Sequence, residues 1–453
     1  MRKTVLLILI FILAQAGIPY HAWPESVSYN VIQKRSASPD SELPEPISLT
    51  LSDCYKLALR QSEVIGISAE QIKIAEARFL QALSIMLPNI SFVSADIQQG
   101  SASDAFTDVS GALTSSIKDS QRQFTVTQTL FNGFKAFAGI TGSKLERNQF
   151  VNQKIRAEQL LLVDVSDAFY LLKEKREDLK ALQKTRVALL NRVKELRQRE
   201  NLGRSRPSEV VNAKAQLYGV EAHIELTKSQ EVVARQLLEF LVGGSVYSIN
   251  DTYDMPSSLE PVNYYVAKSD NRPDVKATKF GWEVAKKEVM IVNSDFLPNV
   301  DVEANYYTQR TGSGKGVDWD VTLNVNVPIF DGGLTIGKSN EAIAKAHQQE
   351  LTYKRTKRLA PYNIRDSYIR LAAAMAIYRK LDKEYKTAKL NYHLQRKDYQ
   401  LSLVNNLDVL ASIQTLQNAQ RDSIHAMYEA KRQYWQLRVA VGESIVETLN
   451  DTF

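Results

Sequence analysis

The stretch Val317–Gly333, VDWDVTLNVNVPIFDGG, alternates between apolar and polar side chains. Its odd-numbered positions up to Ile329 carry valine, tryptophan, leucine or isoleucine, and its even-numbered positions up to Asn326 carry aspartate, threonine or asparagine. Such alternation predicts a β-strand with one apolar and one polar face. A tilted strand needs about ten residues to cross the hydrocarbon core of a bilayer. Pro328 and Asp331-Gly332-Gly333 end the strand. A half-buried strand of a soluble sandwich shows the same local pattern, so only the surrounding sequence can distinguish it from a membrane-spanning strand.

The N-terminus has the features of an export signal. Arg2 and Lys3 precede an apolar run that ends at Ala14-Gln15-Ala16, a small-residue cleavage site, so residues 1–16 are predicted to be removed. Residues 17–47 are expected to form an extended segment. No later stretch approaches ~18 uninterrupted apolar residues, which argues against a helical membrane span. The single cysteine, Cys54, is expected to be a buried free thiol.

Charge and motif content argue against several classes of protein. The 57 basic and 51 acidic residues leave a formal charge of +6, which is too small for a nucleic-acid footprint on so long a chain. The five histidines are scattered without the spacing of metal ligands. The segment 312–316, GSGKG, lacks the flanking residues of a phosphate-binding loop and suits a hairpin tip better. We therefore predict no catalytic site, metal, cofactor or nucleic-acid partner.

An internal repeat organises the chain. Leu87-Pro88-Asn89 returns as Leu297-Pro298-Asn299, and Leu130-Phe131-Asn132-Gly133 returns as Ile329-Phe330-Asp331-Gly332. The distance between the two markers is longer in the first half. The surplus falls in the 100–120 region, whose Ser, Ala, Asp and Thr content predicts an exposed loop.

Each half has the same predicted order of elements: a helix, a β-hairpin, a very long helix, a turn and a returning helix. The predicted segments are a first repeat 48–243 with its hairpin at about 90–131, a linker 244–271, a second repeat 272–443 with its hairpin at about 300–330, and a tail 444–453. The predicted leading helices are 52–86 and 273–296, and the predicted long helices are 134–201 and 336–401. Pro361 is expected to kink the second long helix.

The number of strands and the length of the helices predict an assembly. Four strands per chain cannot close a membrane barrel, since known barrels begin at about eight strands. Two chains would give a barrel filled by its own side chains, whereas three would give twelve strands and a lumen. Asp301, Glu303, Asp318 and Asp320 should face that lumen, because carboxylates in lipid are costly. Helices of roughly 100 Å must lie beside other helices. The sequence thus predicts an α+β membrane protein that forms a trimeric, 12-stranded β-barrel continuous with an α-helical barrel.

The duplicated plan resembles a known family. Arg272-Pro273-Asp274-Val275, the paired Leu-Pro-Asn segments, Pro328–Gly333 and Asp408-Val409-Leu410 together resemble the TolC-type outer-membrane efflux and secretion proteins of Gram-negative bacteria. The similarity covers Ser48–Glu443. It implies a homotrimeric tunnel that crosses the outer-membrane lipid and extends into the periplasm. It also implies a periplasmic adaptor and an inner-membrane pump as partners, for type I secretion or efflux.

The resemblance also implies roles for individual residues. Asp408 matches the acidic constriction residue of the family, and Glu209 matches an acidic residue at the tip. The residues expected to dock the adaptor are Gly203, Arg204, Ser205, Ser402 and Leu403. Ser402 replaces the second tip glycine of the family, and Val404 stands where some members have a latching arginine. Helix capping is the alternative role of Asp408 and Glu209.

A second function also fits the sequence. The chain could be a periplasmic coiled-coil structural or adaptor protein without a membrane barrel, although such a protein would not need a strand with seven apolar residues on one face. The exported cargo, whether drug, metal or protein, does not follow from the sequence.

Overall fold

The structure is a computed structural model that describes residues 48–98, 118–311 and 315–443. The predicted signal peptide, the segment 17–47, the tail 444–453 and most of the 100–120 loop lie outside these residues. Among the helices of the described part, none combines the length and the apolar character needed to cross a bilayer.

The first half contains two short leading helices, a hairpin, a very long helix and a returning helix. Its elements are β1 (Ser48–Leu49), α1 (Leu51–Gln61), α2 (Glu63–Ser84), β2 (Asn89–Gln98), β3 (Lys118–Asn132), α3 (Lys135–Asn201) and α4 (Pro207–Val242). The prediction of one leading helix over 52–86 was wrong. Thr50 and Asp53 form a capping box that starts α1, and Ser62 adopts an extended conformation (φ −66°, ψ 115°) that separates α1 from α2.

The second half repeats this plan after the linker. Its elements, with those of the linker, are β4 (Ser248–Ile249), α5 (Val262–Val266), α6 (Pro273–Asn293), β5 (Asn299–Arg310), β6 (Trp319–Asn326), α7 (Leu334–Gln400) and α8 (Asn406–Val441). Single 3₁₀ turns lie at 269–271 and 294–296. The long helices α3 and α7 both have 67 residues, and the returning helices α4 and α8 both have 36. The duplicated helix, hairpin and long helix are therefore present in the fold.

Two local predictions differ from the structure. The strand expected to reach Ile329 ends at Asn326, because Asn326 pairs with Asn299, the first residue of β5, and Pro328 has no N–H to continue a ladder. Pro361 lies inside α7, which runs without interruption from Leu334 to Gln400, and the kink expected there stays a prediction. The linker is also more ordered than expected, since β4 pairs in parallel with β1.

The four long strands form one antiparallel sheet in the order β2-β3-β5-β6. The pairing of β3 with β5 joins the two halves. The register sets apolar residues side by side on one face of the sheet: Phe92, Phe124, Tyr306 and Trp319 in one row, and Ile90, Val126, Ala304 and Val321 in the next. The other face is polar. Among the described strands, β2 and β6 each pair with one neighbour and so form the edges of the sheet.

Helix α3 is the central element of the helical region. It packs against α2, α4, α6 and α8, while α7 packs against α6 and α8. Contacts between the halves are apolar in two stretches of α3: Leu162–Leu172, which meets Trp435 and Val439, and Leu182–Leu196, which meets Leu410 and Ile413. In the order of packing, α2 and α4 form one side of the unit and α7 forms the other.

The Arg-Pro-Asp-Val motif anchors the end of α8. Arg272 is 1% exposed, and its Nε and Nη2 donate to Asp274 at 3.0 and 2.7 Å. Its Nη1 donates to the carbonyl oxygen of Ala440 at 2.9 Å. Arg156 and Gln159 of α3 donate to the carbonyl oxygens of Val439 and Gly442. Carbonyl groups at a helix C-terminus have no intrahelical partner, so these side chains complete α8 and tie it to α3.

We predict that Arg272→Met destabilises the protein by about 3–5 kcal/mol, because it leaves Asp274 without its cation and the Ala440 carbonyl without its donor. The matched control is Lys276→Met, on the exposed side of α6, the helix that begins just after Arg272. This substitution should change the free energy of unfolding by less than about 0.5 kcal/mol. Urea unfolding of the detergent-solubilised protein, followed by circular dichroism, measures both. Equal losses in the two variants would show that Arg272 is not an anchor.

Candidate functional site

The turns that end α3 and α7 have the same backbone geometry. Gly203 has φ +69°, and Ser402 has φ +61° at the equivalent position. The N–H of Arg204 donates to the carbonyl of Arg199 at 2.7 Å, and the N–H of Leu403 donates to that of Asp398 at 2.9 Å. Ser402 therefore adopts the left-handed conformation that a glycine would take, at a cost of roughly 1–2 kcal/mol for a residue with a side chain.

Asp408 lies in the first turn of α8 and caps it. The Asn405 side-chain oxygen accepts from the N–H groups of Leu407 (2.8 Å) and Asp408 (3.1 Å). In return, the Asp408 carboxylate accepts from the N–H of Asn405 at 3.1 Å. This reciprocal capping box accounts for an acidic residue at this position. Because Asp408 is solvent-exposed, its charge can also act on solutes near the turn. The constriction role is therefore still a prediction.

The remaining tip residues lie in the two turns or just after the first of them. Glu209 is half-buried in the first turn of α4 and accepts a hydrogen bond from the Ser205 hydroxyl at 2.9 Å. Arg204 and Leu403 are exposed. The structure thus places the predicted docking residues at the ends of the long helices, in two turns of matching geometry.

Sequence reasoning missed a clamp close to these turns. Arg192 is 5% exposed, and its Nε donates to the Asn406 side chain at 2.9 Å. Its guanidinium carbon lies 3.7 Å from the centroid of the Tyr399 ring, and that of Arg199 lies 4.5 Å from the same centroid. These cation–π contacts fix the end of α7 to α3, and the hydrogen bond to Asn406 fixes the start of α8 to α3. The available signal was the heptad spacing of Arg192 and Arg199, which sets both on one side of α3.

Ion pairs join α3 to α8 between the two apolar stretches of their interface. Arg421 binds both carboxylate oxygens of Asp178, at 2.8 and 3.1 Å. Glu174 accepts from Arg432 at 3.0 Å and lies 3.2 Å from Nδ1 of His425. A cleft of about 340 Å³ lies beside these ion pairs, and its lining residues are Glu174, Lys175, Asp178, Asn418, Arg421, Asp422, Ile424 and His425. We call this set of residues on α3 and α8 the charged seam.

The charged seam alters the protonation of its members. Burial by itself would raise the pKa of Glu174, but hydrogen bonds from His425 and Lys175 and the charge of Arg432 outweigh it and lower that pKa to about 2. The same hydrogen bond to Glu174 raises the pKa of His425. Nearby, Asp167 accepts from Gln436 at 3.4 Å, and its burial raises its pKa to about 6.

The predicted lumen residues lie on the polar face of the sheet or beside it. Asn305 is 8% exposed and connects three of the strands. Its Oδ1 accepts from Thr125 and Gln123, and its Nδ2 donates to Glu303 and Asp320, both at 3.0 Å. Asp301 lies farther along the same face, hydrogen-bonded to Asn299. Asp318 is exposed just before β6 begins, and its carbonyl accepts from the N–H of Tyr307.

The described residues contain no group of His, Cys, Asp and Glu side chains arranged to hold a metal ion. Cys54 is fully buried as a free thiol, as predicted.

We predict that the interface between α3 and α8 weakens as the pH rises from 5.5 to 8. His425 has a raised pKa, so its contribution is present below the ordinary histidine pKa and is lost as pH rises through the folded value. Asp167 also binds its proton more tightly in the folded state, so its contribution is lost as pH rises through about 6. Glu174, Glu429 and Arg432 face these groups, and the lowered pKa values of the two glutamates keep both ionised over this range.

Urea unfolding across this pH range measures the effect. The double variant His425→Gln/Asp167→Asn should lose most of the pH dependence, whereas His223→Gln, on the exposed side of α4, should retain it. A double variant with the wild-type pH profile would place the titrating groups elsewhere.

Comparison with known proteins agrees with this architecture. Residues 266–443, most of the second half, match the family model "Outer membrane efflux protein". The outer membrane protein TolC of Vibrio cholerae is 20% identical over 325 residues, which cover 68% of this chain and 73% of TolC. The alkaline protease secretion protein AprF of Pseudomonas aeruginosa is 24% identical over 243 residues, 49% of this chain and 50% of AprF.

A solved structure has the same fold. The crystal structure of the outer membrane protein VceC from Vibrio cholerae superposes with a TM-score of 0.76 at 20% identity, and the match covers 87% of this chain and 96% of VceC. The family match, the relatives and the fold agree with the motifs of the sequence. Residues 266–443 thus match the outer membrane efflux protein family, and the described chain has the same fold as the outer membrane protein VceC.

Proposed function

We propose that three copies of the chain form a channel-tunnel that exports small molecules or proteins across the outer membrane, together with a periplasmic adaptor and an inner-membrane pump. The observation that carries the proposal is the four-stranded sheet. One of its faces is apolar and solvent-exposed across all four strands, the other is polar and hydrogen-bonded, and β2 and β6 are edges.

The apolar face fits lipid. Phe92, Trp319, Val321 and Leu323 are each more than half exposed in the single chain. An apolar surface spread over four strands needs cover, either from another protein or from a bilayer. Strands that are apolar outside and polar inside are typical of barrels that span a membrane. The rival periplasmic coiled-coil protein would have no need for such a face.

The edges fit further copies of the same chain. Edge strands offer unpaired N–H and C=O groups, and β2 of one copy can pair with β6 of the next. The helices repeat this arrangement, because α4 on one side and α7 on the other carry exposed apolar side chains spaced by seven or eight residues. On α4 these are Val211, Tyr218, Leu226, Val233 and Phe240, and on α7 they include Tyr362, Ile369 and Ile377. Such stripes are typical of coiled-coil contacts.

The polar face supports three copies rather than two. A barrel of about eight strands is filled by its own side chains, whereas twelve strands leave a lumen. Glu303, Asp320 and Asp301 would line that lumen, with Asp318 near its outer end. The two helix turns would then form the opposite, periplasmic end of the tunnel and contact the adaptor.

The cargo class follows only in part. The matching family model is that of outer membrane efflux proteins, and one relative, AprF, is named as an alkaline protease secretion protein. We propose both small molecules and proteins as cargo, since the twelve-stranded lumen accommodates either.

The barrel predicts an asymmetry between neighbouring residues of β6. Leu323→Arg puts a charge into lipid, at a cost of about 2–4 kcal/mol near the midplane. Thr322→Arg puts the same side chain on the polar face and should be tolerated. The amount of SDS-resistant, heat-dissociable trimer in the outer-membrane fraction should therefore fall for Leu323→Arg only. Similar amounts for the two variants would overturn the assignment of the faces.

The tunnel also predicts an effect of Asp408 on conductance. Three copies of Asp408 near the threefold axis would raise the local concentration of cations. Asp408→Asn should shift the ion selectivity towards anions in single-channel recordings without affecting the trimer, because asparagine can still accept the hydrogen bond that closes the capping box. Unchanged selectivity would assign Asp408 to capping alone.

A further inference from the structure

Two arginines of the first turn have no partner among the described residues. The side chains of Arg204 and Arg206 are exposed, and neither guanidinium makes a hydrogen bond or ion pair within the part of the chain that the structure describes. Their backbone is fixed, since the N–H of Arg204 donates to Arg199 and the carbonyl of Arg206 accepts from Glu209. Arg192 and Arg199, by contrast, are held against Tyr399.

The acidic residues of the same region are constrained. Glu209 is held by Ser205, and Asp408 is held by the N–H of Asn405. Each carboxylate also lies in the first turn of a long helix, where the positive end of the helix dipole offsets part of its charge. The second turn, 401–407, contains no basic residue. The two turns of one chain therefore present two exposed guanidinium groups without a partner among the described residues, and two carboxylates that are hydrogen-bonded.

We propose that Arg204 and Arg206 determine ion selectivity at the periplasmic end of the channel by opposing the cation preference of Asp408 and admitting anionic solutes. The proposal rests on the trimeric channel proposed above. In the trimer each carboxylate at the turns is matched by one guanidinium, so the opening is not an acidic ring. Guanidinium groups stay charged at all working pH values. Since their long side chains are free, they can extend into the opening, whereas the carboxylates stay at the helix ends.

The competing explanation is that Arg204 and Arg206 are only solvated surface charges. The two explanations are distinguished by how the effect of a charge depends on its distance from the opening. Exposed charges act over about 10 Å at 0.1 M ionic strength. A lysine at the opening's edge would influence permeation, but one far along α3 would not. Lys184 is exposed on α3 and lies roughly 25 Å from the turn at 1.5 Å per residue. It is therefore the matched control for loss of one surface charge.

Reversal potentials in planar bilayers under a KCl gradient test the proposal. The wild-type channel should show weak selectivity or a preference for chloride. Arg204→Gln/Arg206→Gln should raise the permeability ratio of potassium to chloride several-fold, while Lys184→Gln leaves it unchanged. The SDS-resistant trimer should form in each variant, because these side chains make no hydrogen bond or ion pair with the described residues.

Each outcome decides one proposal. A conducting double variant with wild-type selectivity would overturn the role of the arginines and leave the channel intact, as would a strongly cation-selective wild type. A wild-type trimer that conducts no ions would instead contradict the channel itself, and with it this assignment.

Discussion

The structure depends on the need to cover two helices of 67 residues along their whole length. A helix of about 100 Å cannot fold back on itself, so its apolar side must be buried by other helices. Helix α3 solves this within one chain, since it packs against helices of both halves. Helix α7 is covered on one side only, and its exposed apolar stripe is why we infer that a single chain is incomplete.

Because of the duplication, the two halves of the chain have long helices of equal length and turns of matching geometry. Because α3 and α7 have the same length and their turns the same geometry, the first turns of α4 and α8 lie at equivalent positions of their repeats. Ser402 accepts an unfavourable backbone conformation to keep this match. The strain indicates that turn geometry constrains this segment more strongly than residue identity does, which fits a turn that must meet its counterpart.

Periodic features could be predicted from the sequence, and single long-range contacts could not. The alternation around Leu323 predicted the two faces of the sheet, and the repeated Leu-Pro-Asn segments predicted the order of elements. The break between α1 and α2 at Ser62 was not predicted, because a serine within a helical pattern is not a strong signal for the end of a helix. The end of β6 depended on its partner Asn299 in space. Arg192 and Arg272 act through contacts with Asn406 and Ala440, which are far away in the chain, so neither the heptad spacing nor the Arg-Pro-Asp-Val motif identifies those partners. The roles of Asp408 and Glu209 are still predictions.

The best explanation of the charged seam is that it fixes the register between α3 and α8. Buried ion pairs contribute little net stability, since desolvation offsets most of the attraction, but a mispaired buried charge is strongly unfavourable. The apolar stretches on either side of the seam would tolerate sliding by one helical turn, because leucine packs acceptably in several positions. Asp178 and Glu174 meet Arg421 and Arg432 at one alignment of α3 and α8. That alignment sets Arg192 beside Asn406 and so fixes the position of the second turn along α3.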